Sequence, residues 1–288
     1  MDPIILNVAD GTVFFVGLGI VGLAELLMLH FDRKAFRSIS TVAVLVGIVL
    51  VGISSTPLPL WMYAMWFVPA MGCLLLGNSV RSPRKQRAIA AGLLLLATAA
   101  LSWVEARYHR SPRIMVPSGR TVYVLGDSLS AGMGAGERCW PAVLAESKGI
   151  PVVNLAEAGA TVQSALGQAE RIAQPNSVVI VEIGGNDLLG ETEAGIFRGR
   201  LDSLLRKLRS DQHAVVMFEL PLYPFRNAYG RAQREVAAEH GVTLLPKRFL
   251  TRVLGLKGGT LDGLHLSEKG HAALAAIVGE VLEKENQR

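Results

Sequence analysis

Hydrophobic positions follow two different rhythms along this chain. Up to about residue 104 they run almost without interruption. From Ser38 to Val80 no charged residue occurs over 43 positions. One membrane-crossing helix is too short to fill that run, and two fit it. A hydrocarbon core of about 30 Å takes about 20 helical residues at about 1.5 Å each. Pro57 and Pro59 break the run near its middle, which predicts helices over 39–56 and 58–78. Gly11–Phe31, with Glu25 as its only acid, and the uncharged Ala88–Val104 supply two more. The pattern predicts four transmembrane helices within residues 1–104.

A polar stretch at 105–119 (EARYHRSPRIMVPSG) reads as a linker. After it the rhythm changes. Short β-branched runs at Thr121–Gly126, Pro151–Leu155, Val178–Ile183, Ala214–Glu219 and Val242–Leu245 alternate with helical stretches near 137–148, 161–173, 194–211, 226–240 and 268–284. Ser267 is placed to cap the last of these through its side-chain oxygen. Apolar strands alternating with helices predict a parallel sheet with right-handed crossovers, covered on both faces. Residues 120–288 are therefore expected to form a three-layer α/β domain.

Composition narrows the classes. Half of the 288 residues are hydrophobic and 18% are charged, which excludes disorder, and two cysteines exclude a disulfide scaffold. The net charge of +5 lies wholly in residues 1–114, where ten Lys/Arg face five Asp/Glu, whereas 115–288 carries 19 of each. A basic excess confined to the apolar part removes the main reason to expect a nucleic-acid partner. It is a topology signal instead. Arg33, Lys34 and Arg37 follow the first span, and Arg81, Arg84, Lys85 and Arg87 follow the third. The first ten residues and the Pro57 turn carry no Lys or Arg. Positive loops stay inside, so the N-terminus and everything after Val104 are expected outside, in a multi-pass protein of a bacterial-type inner membrane with a periplasmic domain. Arg107, Arg110 and Arg113 then lie on the outer side, which long translocated domains tolerate. Trp61, Tyr63, Trp66 and Trp103 fit an aromatic belt. The N-terminus lacks the basic region of a cleaved signal.

Two features of the spans have chemical look-alikes. Gly17, Gly19 and Gly22 spell G-x-G-x-x-G, but inside an apolar helix with no preceding strand, where close helix packing explains small residues. Glu25 is an ionisable group in a span; snorkelling, or pairing with Lys34 or Arg37, accounts for it.

Open α/β sheets place working residues beyond the carboxyl ends of their strands. The first strand runs into Gly126-Asp127-Ser128-Leu129-Ser130, the second is followed by Gly159, and the third runs into Gly184-Gly185-Asn186-Asp187. Asp262-Gly263-Leu264-His265 comes just before the last helix. A serine hydroxyl is a weak nucleophile that needs a base, and His265 is the natural base. Asp262 can hold the imidazole in one tautomer. A tetrahedral intermediate needs donors aimed at its oxyanion; the N–H groups of Ser128 and Gly159 and the Asn186 amide supply three. Asp127 and Asp187 are alternatives for the triad acid, but their positions point to turn hydrogen bonds, as does that of Ser130. Asp262, His265 and His271 do not match a familiar zinc spacing, and neither metal nor cofactor is expected. Cys73 is expected to be a packing residue of the third span and Cys139 a buried thiol. His30, His109, His213 and His240 are expected at the surface or its boundary.

GDSLS, the lone Gly159, GGND and DxxH stand in the order of the four blocks of the SGNH (GDSL) hydrolases, which residues 120–284 resemble. VLGDSLSAG, VVNLAEAGAT, VEIGGNDLL and DGLHLSEKGH bring the chain nearest to the bacterial periplasmic thioesterase/lysophospholipase/arylesterase branch. The resemblance implies an αβα sandwich on a five-stranded parallel sheet. It also implies Ser128 as nucleophile, Asp262 and His265 completing the triad, and an oxyanion hole of Ser128, Gly159 and Asn186. Ala160 stands where that branch tends to have a polar residue, so substrate preference does not carry over. Leu188, Leu189 and Tyr223, just after strand ends, are expected to line an acyl pocket. The expected activity is a membrane-anchored serine esterase acting on acyl esters of lipids. The alternatives are an O-acyl esterase or acyltransferase for an acylated envelope glycan, and a noncatalytic membrane assembly subunit. Membrane lipid is an expected partner, and protein partners stay unspecified.

Overall fold

Every predicted β-branched run contains a strand. The computed structural model describes residues 2–30, 34–78, 83–134 and 136–284. In chain order its strands are β1 (Ile114–Val116), β2 (Val122–Gly126), β3 (Val152–Asn154), β4 (Val178–Glu182), β5 (Ala214–Phe218), β6 (Thr243–Leu245) and β7 (Leu282–Lys284). Five of them make one parallel sheet in the order β3-β2-β4-β5-β6. The register sets Gly126 at the end of β2 beside Glu182 at the end of β4. Every residue of β2 and β4 is buried, as a central strand covered on both faces requires. Val122, Val124, Ile180 and Phe218 pack in one core with Trp140 and Leu144 of the helix Trp140–Lys148 and Leu274 and Val278 of the helix Glu268–Val281. Sheet order thus carries the ends of β2, β3 and β4 to one edge, where the sequence holds its chemically loaded loops.

The chain divides into two compact units. One holds the residues up to Leu6, His109–Pro221 and those from Ala228 onward, including all seven strands. The sequence pattern does not announce the parallel pairing of β1 with β7, Ile114 against Leu282. Ile114 and Val116 are buried around an exposed Met115, a three-residue alternation too short to stand out between Pro112 and Pro117. The stretch read as a linker therefore contains a strand, and its first residues, Glu105–Tyr108, end a helix. The final helix stops at Val281, three residues before the predicted 284.

The other unit holds Asn7–Tyr108 and Leu222–Asn227. The four apolar runs form the helices Thr12–His30, Lys34–Ile53, Leu60–Asn78 and Arg84–Tyr108. Of the four expected spans, two are long and apolar enough to cross a membrane among the described residues: Thr12–His30 and Arg84–Tyr108. Arg37–Ile53 and Leu60–Leu76 are shorter apolar stretches. Phe31, Arg33, Val80 and Arg81 lie outside the described residues, as does the side chain of Lys34. Phe14, Leu18 and Val21 pack with Val44, Val51 and Leu94 in the unit's core. Gly17 meets the helix Lys34–Ile53 so closely that a Cβ there would sit 2.7 Å from the Gly47 carbonyl oxygen. Close packing is thus the reason for Gly17, while Gly19 has open space beside it. Trp61 and Trp103 are exposed, but Trp66 is a core residue whose Nε1 donates to Thr98 Oγ1 at 2.9 Å, so it does not belong to a belt.

Candidate active site

Ser128 opens a one-turn helix, Ser128–Ala131, directly after β2. Asp127 caps that helix, its Oδ1 accepting from Leu129 N at 3.0 Å. Gly126 allows the tight exit, because a Cβ there would stand 2.8 Å from the Glu182 carbonyl oxygen and 2.9 Å from Ser130 Oγ. The buried Gln168 amide fixes the same residue, accepting from Gly126 N and donating to Gly126 O, both at 2.9 Å. Ser130 makes its turn bond, N donating to Asp127 O at 3.1 Å, and also reaches into the core: its buried hydroxyl donates to Glu182 Oε2 at 2.9 Å and accepts from Trp140 Nε1 at 3.1 Å. Asn154 at the end of β3 donates to Ser130 O at 2.8 Å.

Beneath this turn lies a pair of buried carboxyls, Asp127 and Glu182. Burial pushes the Asp127 carboxyl up to about 6. Burial, with the Asp127 charge added, holds Glu182 well above the usual carboxylate range. Two carboxylates in a low-dielectric pocket resist ionising together. Glu182 and Gln168 were not among the residues singled out from the sequence. The signal for Glu182 is an acid closing the otherwise apolar run Val178–Glu182; a buried acid in a central strand calls for a partner.

Two further loops converge here. Asn186 Nδ2 donates to Ala160 O at 2.9 Å and faces Asp127 Oδ2 at 3.4 Å. Asp187 reaches beyond its own turn as well: its Oδ2 accepts from Val162 N at 2.8 Å, tying the loop after β4 to the loop after β3. Gly159 has φ +76°, in the left-handed region, with open space where a Cβ would point. Among the described residues, no hydrogen bond uses the N–H of Ser128 or of Gly159.

The Asp262–His265 loop is held by its own acid. Asp262 Oδ1 accepts from Leu264 N at 2.9 Å and His265 N at 2.8 Å, and Oδ2 meets His265 Nδ1 at 2.6 Å. These bonds, the imidazole first, hold the Asp262 carboxyl far below the usual carboxylate range. The ring nitrogen that Asp262 does not engage is Nε2. Ser267 accepts from Gly270 N at 3.2 Å, the expected cap, and donates to Gly258 O at 2.6 Å. No hydrogen bond joins Ser128 to His265 among the described residues. The His265 charge nevertheless acts on Asp127, next to Ser128, lowering its pKa against the effect of burial.

His271 sits apart from Asp262 and His265. Its Nδ1 accepts from Trp140 N at 3.2 Å and its Nε2 meets Glu137 Oε1 at 3.1 Å. Its ligand atom lies within 4.8 Å of those of Glu137 and Cys139, a set able to hold a metal ion. The protein already engages these groups, since Cys139 donates to Ala131 O at 3.1 Å and Glu137 Oε2 accepts from Met133 N at 2.7 Å. The set fastens the loop after Ala131 to the final helix. His213 is buried rather than superficial, its Nδ1 accepting from Ser177 N at 3.2 Å. Leu188 is buried, Leu189 is half exposed, and Tyr223 belongs to the other unit.

Residues 124–273 match the family model of the GDSL-like lipases and acylhydrolases. Esterase TesA of Pseudomonas aeruginosa is 29% identical over 162 residues, 51% of this chain and 80% of that protein. A crystal structure of TesA superposes with a TM-score of 0.51 at 29% identity, covering 56% of this chain and 97% of the other. The psychrotrophic esterase EstA from Pseudoalteromonas sp. shares the fold, with a TM-score of 0.51 at 20% identity over 56% and 96% of the two chains.

Proposed function

The chain belongs to the GDSL-like lipase/acylhydrolase family and is a carboxylic ester hydrolase, and from that footing we propose that Ser128 carries its acyl group. Ser128 Oγ attacks the ester carbonyl carbon and its proton passes to His265 Nε2. Asp262 keeps the Nδ1–H of that ring in place and stabilises the imidazolium. The new oxyanion takes the N–H groups of Ser128 and Gly159 and one N–H of Asn186. The Ala160 carbonyl orients the Asn186 amide, and the long contact to Asp127 yields to the stronger acceptor. Collapse breaks the ester C–O bond, the departing alcohol takes the proton from His265, and water repeats the sequence on the acyl-enzyme.

The 2.6 Å contact between Asp262 Oδ2 and His265 Nδ1 carries this reading, because it fixes the tautomer a general base needs. Replacing Ser128 by alanine tests it. Turnover of short p-nitrophenyl esters is expected to fall by about 10³-fold or more, to what binding and the oxyanion donors alone provide. Wild-type activity in S128A would refute it.

The same proposal places residues 1–104 in a membrane as a four-helix anchor and residues 120–288 outside it as the catalytic domain. Support comes from apolar side chains on the outside of all four helices, among them Leu23, Val42, Val68 and Leu96. Large apolar side chains exposed on all four helices suit a nonaqueous neighbour. The basic side chains of the Arg37 and Arg84–Arg87 segments supply the topology signal. An acyl ester of a membrane amphiphile is the substrate class that suits an esterase held at a bilayer.

A further inference from the structure

Glu182 takes no part in the triad, yet it is tied by hydrogen bonds to the candidate oxyanion hole. It ends β4 beside Gly126 of β2 and is 1% exposed. Its Oε2 accepts from Ser130 Oγ at 2.9 Å, and its carboxyl shares a hydrogen bond with the buried carboxyl of Asp127. Two carboxylates offer each other only acceptors, so that bond requires a proton on one of them. Asp127 Oδ1 accepts from Leu129 N at 3.0 Å, and Oδ2 stands 3.4 Å from Asn186 Nδ2. The Asn186 amide has two N–H groups. One donates to Ala160 O at 2.9 Å, so the other serves either Asp127 or an oxyanion. A contact of 3.4 Å is long beside the about 2.7–2.9 Å of a charge-assisted bond. An Asp127 carboxylate with no proton beside it is the stronger competitor for that N–H.

We propose that Glu182 is a positioning residue for the oxyanion hole: its carboxylic acid donates to Asp127 and so keeps that carboxylate from holding the Asn186 N–H away from the oxyanion. This role rests on the reading of Asn186 as an oxyanion donor. The other charged groups around the pair are engaged elsewhere. His265 and Asp187 both act on Asp127. His265 is held by Asp262 at 2.6 Å, and Asp187 accepts from Val162 N and lies 3.9 Å from Arg200. Glu219, just after β5, pairs with Arg234 at 2.7 Å. Beyond Ser130 and Trp140, His271 meets Glu137 at 3.1 Å. Glu182 is the acid in hydrogen-bond contact with Asp127 and so the one placed to supply the proton.

The test is the pH dependence of kcat and KM for p-nitrophenyl butyrate, with the full chain in detergent, from about pH 6 to about pH 9.5. As pH rises and the pair loses its proton, wild-type kcat is expected to fall at least about tenfold from its plateau with KM little changed. That is part of the about 10²–10³ that one oxyanion donor supplies. Glu182→Gln has no such proton to lose. Its amide donates to Asp127 at every pH, and its kcat is expected to stay level over the same range. Asp127→Asn keeps a helix cap and is expected to stay level too. A merely structural role for Glu182 would scale kcat equally at every pH and leave the fall in place. A wild-type kcat that does not fall overturns the proposal. So does a fall in Glu182→Gln parallel to the wild type or, if that variant does not fold, in Asp127→Asn. Ser128→Ala separates the two readings. Activity retained there overturns the serine mechanism itself, whereas an inactive Ser128→Ala with parallel profiles overturns the role of Glu182 alone.

Discussion

At the scale of single residues, the Asp127–Glu182 pair is expected to give the site a pH dependence of its own. The folded state holds a proton near Asp127 up to about pH 6, whereas the unfolded chain releases it near the ordinary value of 3.8. Between those values the native state binds more protons than the unfolded state. Stability contributed by this group is therefore fully present below the unfolded pKa and lost as pH rises through the folded one. Glu182→Gln keeps a partner for Ser130 and removes one charge of the pair. We expect the variant to melt higher than the wild type at pH 8, with the difference shrinking towards pH 5. Parallel melting curves for the two proteins across that range would show that the pair shares no proton. The sequence singles out Ser128 and Asn186 from their places after strand ends, and Asp262 and His265 from their spacing just before the last helix. It misses Glu182 and Gln168 because their partners, Ser130 and Gly126, lie far away along the chain and only the sheet register brings them close.

At the scale of elements, the loop bearing His265 depends on how the last helix begins. Ser267 caps Glu268–Val281 and grips Gly258 with the same hydroxyl, while Ser267 N donates to Gly259 O at 3.0 Å. Ser267→Ala is expected to cost about 0.5–2 kcal/mol in stability, as lost caps do. It should also lower kcat more than it raises KM, since it loosens the base rather than the substrate. Unchanged stability in chemical denaturation would remove the cap from this account. The strands of the sheet are legible in the sequence because buried parallel strands need unbroken β-branched runs. The β1–β7 pair is not legible, because three-residue strands at distant points carry no period to detect.

At the scale of the whole molecule, the chain separates an apolar, basic part from a charge-balanced α/β part, and hydropathy alone makes that visible. The close approach of Gly17 and Gly47 is less visible, because glycines are common in apolar helices and only the packing shows which ones touch. The anchor reading predicts that alkaline carbonate leaves the full chain in the membrane pellet and that detergent releases it. A periplasm-active reporter fused after Gly119 is expected to be active. Release by carbonate, or a reporter active only in the cytoplasm, would contradict the anchor or its orientation respectively.

The chemistry at Ser128 remains the centre of the account, and one labelling experiment addresses it directly. A fluorophosphonate reacts much faster with a serine activated by a neighbouring base than with an ordinary one. Mass spectrometry of the treated full chain is predicted to find the adduct on the peptide carrying Ser128, with labelling slowed by His265→Ala. Folded, untreated-like protein with no adduct at Ser128, or an adduct on another serine, would contradict it.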